Sequence, residues 1–309
     1  WNRTWGADGR LGIGERISLT GFAARTETPG LAGREHAWNV DSEYNDGKTL
    51  MNFEFGETGE DFNPEVGYID RTQGYRRWYA RFQETMRQDR IKSWGFREFL
   101  PHVNYARYTY LDTGRLQSAE LHADNHWDWE NGYYISTALN GTWEGLDRPF
   151  EVYPGVIVPP GEHGGLRATI RSNTDRRKWI SANHIWEKGR FLTGDQDGHT
   201  LGVIARQGGQ LVVSANWTRR AIDLPEGSFV TNLGSLRATY NFTPDIFAQS
   251  LIQYNDVTKR WSTNLRVHWL QTAAAGLYVV YNDTETINGL GPVNRALIVK
   301  YSQQIDILR

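Results

Sequence analysis

"LHADNHWDWENGYY", residues 121–134, decides how the chain is read. Alternate residues separate into two sets. His122, Asp124, His126, Asp128 and Glu130 form one, and Leu121, Ala123, Asn125, Trp127 and Trp129 form the other. A period of two puts each set on its own face of a β-strand. The stretch ends at Asn131-Gly132, a pair that supplies the positive φ angles of a two-residue hairpin. Two histidines and three carboxylates on one strand face raise three readings: a metal site, an acid/base cluster, or the wet inner wall of a barrel.

The same alternation runs through the chain. In "SLRATYNFT" Leu236, Ala238, Tyr240 and Phe242 oppose Ser235, Arg237, Thr239, Asn241 and Thr243. "NLRVHWL" sets Leu265, Val267 and Trp269 against Asn264, Arg266 and His268, and "GLRATIR" sets Leu166, Ala168 and Ile170 against Arg167, Thr169 and Arg171. "ALIVKYSQQIDI" puts Leu297, Val299, Tyr301, Ile305 and Ile307 opposite Lys300, Ser302, Gln304 and Asp306. No stretch carries a helical period. The pattern predicts about 17 strands, at 4–12, 16–26, 36–45, 49–60, 75–87, 96–111, 116–130, 133–145, 164–174, 178–189, 199–207, 210–222, 229–242, 246–256, 261–272, 276–284 and 295–308. Strands of roughly ten residues have the length that a tilted membrane-crossing strand requires.

The connections fall into two kinds. Tight turns are expected at Gly14-Glu15, Asp46-Gly47-Lys48, Asn131-Gly132, Gly208-Gly209, Thr243-Pro244-Asp245 and Ala273 to Ala275. Longer loops are expected at 26–35, 60–74, 146–164, 188–199, 223–228 and 284–294. Two segments blur this alternation, because 87–94 is long for a turn and 112–115 is short for a loop. Short turns at one end and long loops at the other are the anatomy of an outer-membrane barrel. The expected fold is therefore all-β, an antiparallel up-and-down transmembrane β-barrel over 1–309 as a single domain. Counting back from a last strand that runs toward the periplasm places the start of strand 4–12 outside the cell. The expectation is an N-terminally incomplete barrel, with at least one further strand upstream and one or more residues beyond Arg309.

Composition agrees with this. The chain has 309 residues, 13 Trp, 15 Tyr and 32 Gly, and a formal charge of -2, which argues against a nucleic-acid-binding surface. It has no Cys, which removes disulfides, thiolate nucleophiles and zinc–sulfur sites. No run approaches the roughly 20 apolar residues of a membrane helix.

Seven segments, in order, carry a resemblance: "ARTETPGLAG" (24–33), "GEDFNPEVGYIDR" (59–71), "RPFEVYPGVIVPPGEH" (148–163), "DLPEGSFVTNLGSLRATYNFTPDIFAQSLIQYN" (223–255), "STNLRVHWL" (262–270), "LYVVYND" (277–283) and "NRALIVKYS" (294–302). Together they resemble the C-terminal barrel of domain-of-unknown-function family 5916, Gram-negative envelope proteins that often carry an upstream family-9 carbohydrate-binding-like domain. The resemblance implies an outer-membrane location and a barrel fold. It implies no catalytic motif.

The residues expected to line a lumen are His122, Asp124, His126, Asp128, Glu130, Arg167, Arg171, Arg237, Arg266 and Lys300, with Arg206 beside them. The inward bases are expected to pair across strands with inward acids such as Asp124, Asp128, Glu130, Glu144 and Asp306. An aromatic girdle is expected from Trp127, Trp129, Tyr133, Trp217 and Trp269. Asp61, Phe62, Asn63, Pro64 and Glu65 form a candidate partner loop, read also as a segment packed on the rim by Phe62, Pro64, Val66 and Tyr68. The loop at 188–199 carries Asp195, Asp197 and His199 at alternate positions and reads as a solvated turn.

No metal ligand set is assigned. His122 and His126 are separated by about 13 Å of strand, and Asp124 with His126 could share an ion only with help from a neighbouring strand. No G-x-S-x-G elbow, phosphate loop or H-E-x-x-H motif appears, so neither an enzyme nor a cofactor is expected. The expected function is an outer-membrane channel or anchor, with lipid as its principal partner. A scaffold binding other envelope proteins through its long loops is the second reading. A polysaccharide-active surface protein is the third.

Overall fold

The structure is a computed structural model and describes residues 1–65, 67, 69, 71–272, 275–286 and 292–304. Seventeen strands form one antiparallel sheet, and a small hairpin stands apart from it. In chain order they are β1 (Arg3–Ile13), β2 (Ile17–Glu27), β3 (His36–Asn45), β4 (Thr49–Thr58), β5 (Tyr75–Glu84), β6 (Phe96–Tyr110), β7 (Leu116–Trp129), β8 (Tyr134–Leu146), β9 (Phe150–Tyr153) and β10 (Val156–Val158). There follow β11 (Gly161–Asn173), β12 (Ile180–Phe191), β13 (Gly194–Gln207), β14 (Leu211–Leu224), β15 (Gly227–Asn241), β16 (Ile246–Asn255), β17 (Arg260–Thr272), β18 (Ala275–Thr286) and β19 (Pro292–Gln303). One helical turn, α1 (Asp89–Lys92), lies between β5 and β6.

Each strand of the large sheet pairs with the next in sequence. The exception is β8, which pairs with β11 because β9 and β10 pair only with each other. This is an up-and-down order, and the 17 strands agree with those expected from the alternation. Among the described residues no ladder joins β1 to β19. Gly164 makes the β8–β11 junction possible: its φ is +133°, and a Cβ there would overlap the Thr142 carbonyl oxygen.

Register converts the alternation into two continuous faces. Asn104, His122, Asn140 and Arg167 stand opposite one another across β6, β7, β8 and β11. Val203, Ala215, Leu236 and Ile252 do the same across β13 to β16, on the other face. A slip of one residue in any ladder would exchange the faces. Burial is inverted relative to a water-soluble domain. Among the described residues nine hydrophobic side chains are buried, whereas 39 large ones are exposed. Among the described residues the sheet therefore has only a small buried apolar cluster, around Ile222 and Leu224, to hold it together in water.

Two of the expected long loops are strands. Residues 188–199 continue β12 and β13 up to a two-residue turn at Leu192-Thr193, with Leu192 in the left-handed region at φ 48°. Residues 223–228 likewise close a two-residue turn between β14 and β15. Their Gly and Asp content suggests loops, but cross-strand ion pairs extend the ladder in 188–199, and the Ser228 hydroxyl donates to Asp223 across the second turn. Lys188 lies 3.3 Å from Asp197, and Arg190 lies 3.5 Å from Asp195. The long connections at this end are 28–35, 59–74 and 147–160. The opposite end carries turns at 14–16, 46–48, 130–133, 208–210 and 242–245, together with 174–179 and the α1 segment. The expected turn at Ala273 to Ala275 falls largely outside the described residues, as do 287–291 and the tail with Ile305, Asp306 and Ile307.

The 46–48 turn is fixed by Asp46. Its carboxylate accepts the backbone N–H groups of Thr49 at 2.7 Å and Lys48 at 3.0 Å, which hold its carboxyl below the usual carboxylate value. Because the folded value lies below the unfolded one, this stabilisation is complete above the ordinary value of 3.8 and is lost as pH falls through the depressed folded value. Asp46→Asn is expected to flatten the acid limb of a stability-against-pH curve followed by tryptophan fluorescence. An unchanged acid limb would show that the turn contributes nothing there.

Candidate functional site

The ladders place His122, Asp124, His126 and Asp128 on one face of β7, with Arg167 and Arg171 on β11, Arg206 on β13, Arg237 on β15, Arg266 on β17 and Lys300 on β19 on the same face. Glu130 follows the end of β7 and is exposed, with its backbone N–H donating to Gly95 O at 3.1 Å. The expected polar set is thus brought together as one surface.

The histidines do not remain apart. His122 Nε2 lies 3.8 Å and His126 Nε2 3.3 Å from Asp124 Oδ2, because both rings lean toward the carboxylate between them. A third ring enters from β6. His102 stands opposite Asp124 in the ladder, and its Nε2 lies 3.0 Å from His122 Nε2. Asp124 is buried and accepts the Ser136 hydroxyl at 2.6 Å. His102 escaped the sequence reading, although alternation in "EFLPHVN" puts it on the polar set with Glu98 and Asn104. What was missing was the β6–β7 register, which a single strand cannot reveal.

A cavity next to this cluster is lined by His122, Asp124, Asn140, Arg167, Arg171 and Glu187, among others. Glu187 is the hub of its charges, 3.5 Å from Arg167 and 3.4 Å from Arg220. Asp128 pairs with Arg97 at 3.2 Å. The expected general pairing of inward bases and acids is only partial. Among the described residues, Arg171, Arg237, Arg266 and Lys300 have no carboxylate partner. Arg237, Arg266 and Lys300 stand on β15, β17 and β19, several strands from the acids of this face on β3 to β8 and β12, whereas Arg171 lines the cavity with Asp124 and Glu187 without pairing to either.

Connection 147–160 folds inward. The β9–β10 hairpin buries Val156 and Val158 against Ile222 and Leu224, and Tyr153 stacks on Phe229 with ring centroids 4.3 Å apart. Ile222 and Leu224 share the polar face with Arg220, so the hairpin lies across that face near the end opposite the tight turns. The 59–65 segment is tied to the rim. Asn63 N donates to Thr26 Oγ1 at 2.9 Å, Asn2 Nδ2 donates to Asn63 O at 2.8 Å, and Thr26 is fully buried. Asp61, Phe62, Asn63 and Pro64 are partly buried and Glu65 is exposed, while Val66, Tyr68 and Asp70 lie outside the described residues.

Trp127 and Trp129 occupy the face opposite the histidines. Phe99 packs against Trp127 and Phe96 against Trp129, with centroids 4.8 and 4.5 Å apart. Tyr133 and Trp269 are exposed close to the same tight-turn end. Trp217 differs: it lies in the row Trp217, Gly234, Tyr254, Trp261, nearer the opposite end. The aromatics therefore form two belts, one toward each end.

By sequence, the chain matches no family profile and no curated protein. By structure it is similar to the ferric enterobactin receptor PfeA of Pseudomonas aeruginosa, with a TM-score of 0.58 at 9% identity over 97% of this chain. The chain spans 61% of that receptor's length. A second similar structure is the siderophore receptor PirA of the same organism, at TM-score 0.43 and 11% identity, covering 99% of this chain and 69% of PirA. At 9% identity the likeness to PfeA concerns the fold alone: an antiparallel up-and-down β-barrel.

Proposed function

We propose that the protein spans an outer membrane as a β-barrel, with its polar face lining a water-filled lumen and its apolar face against lipid. The inverted burial carries this reading. In a soluble domain of this length a large share of the apolar surface is buried on folding, yet here 39 large hydrophobic side chains stand exposed. Lipid is the solvent that makes such a surface favourable. Aromatic belts toward both ends match the two membrane–water interfaces, with an apolar band of about 25 Å between them.

Within that frame the protein acts as a channel or anchor, not an enzyme. Arg171, Arg237, Arg266 and Lys300, free of carboxylate partners among the described residues, favour entry of anionic solutes. The β9–β10 hairpin narrows the mouth. A second reading, an anchor that engages other envelope proteins, draws on the ordered 59–65 segment at the rim.

Reconstitution tests both levels. With the intact protein in vesicles, brominated lipid is expected to quench the fluorescence of outward tryptophans such as Trp127, Trp217 and Trp269. Absence of quenching would overturn the membrane reading. In planar bilayers, stepwise conductance with anion preference is expected. Insertion without conductance would overturn the channel and leave the anchor.

A further inference from the structure

We propose that His102, His122 and Asp124 form a binding site for a divalent transition-metal ion of the zinc class on the polar face of β6 and β7. Their ligand atoms all lie within 4.8 Å of one another. Two imidazoles and a carboxylate are a donor set that suits zinc, which takes nitrogen and oxygen ligands at about 2.0–2.2 Å. A small closing movement of the three side chains would bring them to that distance.

The hydrogen bonds behind the ligands point the same way. His102 Nδ1 lies 3.0 Å from Leu100 O, an acceptor only, so Nδ1 carries the proton. His122 Nδ1 lies 2.6 Å from Asn140 Oδ1, and the Asn140 amide nitrogen donates to Thr169 Oγ1 at 2.8 Å. That arrangement leaves the amide oxygen to accept from His122. In the neutral rings both Nε2 atoms then present lone pairs, and they face each other at 3.0 Å. Facing lone pairs repel unless a cation lies between them. A shared proton would relieve that contact but leaves a second observation unanswered. Asp124 is 4% exposed at its side chain, and its Oδ1 is buried with no hydrogen-bond partner. A metal ion satisfies both. The backbone carbonyl and Asn140 behind the rings are the outer partners that metal-bound histidines use to fix their tautomer.

Three protein ligands leave a coordination position open to water or to a ligand from solution. The cavity beside the cluster contains Arg167 and Arg171, so an anionic ligand is favoured there. His126 Nε2, 3.3 Å from Asp124 Oδ2, stands on the other side of the carboxylate and steadies it.

The second histidine pair is a built-in control. His184 Nε2 meets His199 Nδ1 at 3.1 Å, and His199 Nε2 meets Asp197 Oδ1 at 3.4 Å. Both nitrogens of His199 are thus engaged, and this pair lies on the opposite face of the sheet.

The test uses the intact protein in detergent, with Zn²⁺ followed by calorimetry and Co²⁺ by visible absorption. One Zn²⁺ per chain is expected, together with a Co²⁺ d–d spectrum that Zn²⁺ abolishes. His122→Ala and Asp124→Asn should remove this binding, Asn140→Ala should weaken it by about 10–100-fold, and His184→Ala should leave it unchanged. Failure of the wild-type protein to take up either ion overturns the proposal, and this readout does not depend on any variant folding. Unchanged binding in His122→Ala and Asp124→Asn, or loss in His184→Ala, overturns it equally.

Discussion

Val267→Arg is expected to weaken the membrane-inserted barrel by about 1–3 kcal/mol, the cost of a cation on the lipid face between the bilayer midplane and the tight-turn interface. Val267 is 46% exposed, lies between Leu265 and Trp269 on the apolar face, and pairs with Ala248 and Val279. On a water-facing surface the same substitution would change stability by no more than about 0.5 kcal/mol. The size of the effect therefore reports which solvent touches the residue. The adjacent residue supplies the comparison. Arg266 points to the other face and has no carboxylate partner among the described residues, so Arg266→Gln is expected to stay within about 0.5 kcal/mol. Guanidinium unfolding in lipid vesicles, followed by tryptophan fluorescence, measures both. Equal, small effects would remove the lipid assignment of this face.

The second large effect is expected from Val158→Asp. Val158 is fully buried, in the cluster of Val156, Val158, Ile222 and Leu224 that joins the hairpin to the wall. A carboxylate there has no cationic partner, and burying one unpaired costs several kcal/mol. The hairpin would release rather than carry that cost, because few contacts other than this cluster hold it. The wall has its own ladder between β8 and β11 and does not require the hairpin. The expected result is rapid proteolysis within 147–160 at an unchanged unfolding midpoint, with larger conductance steps if the lumen conducts. A variant that unfolds as a whole would show instead that the hairpin supports the wall. A variant still resistant to proteolysis would show that the apolar cluster does not hold it.

Alternation made the wall legible, since period two is a property of each strand alone. All 17 wall strands could be read, and the faces of Arg167, Arg237 and Lys300 followed from parity. The extent of β12 and β13 was hidden because Gly, Asp and Thr signal turns, while the ion pairs that extend the ladder become visible only once the strands are aligned. The inward hairpin was hidden for a related reason. "FEVYPGVIV" alternates too weakly to announce two short strands, and its partners Ile222, Leu224 and Phe229 lie far along the chain. The histidine cluster shows the same limit most sharply. Backbone spacing separates His122 from His126, yet side-chain lean and the arrival of His102 from β6 bring three rings around one carboxylate. Chemistry assembled across strands needs register, and register is set by turns whose geometry a sequence only partly discloses.

Apart from the β9–β10 excursion, each wall strand pairs with the next wall strand along the chain. A hairpin in this wall touches its two neighbours and little else, so the energy of the sheet is close to a sum of nearest-neighbour terms, as in repeat proteins. Adding or removing two strands together would preserve the orientation of every other strand and the face of every other side chain. The circumference of such a wall is thus an adjustable quantity, open to change by duplication or loss of single hairpins without redesign of the remainder.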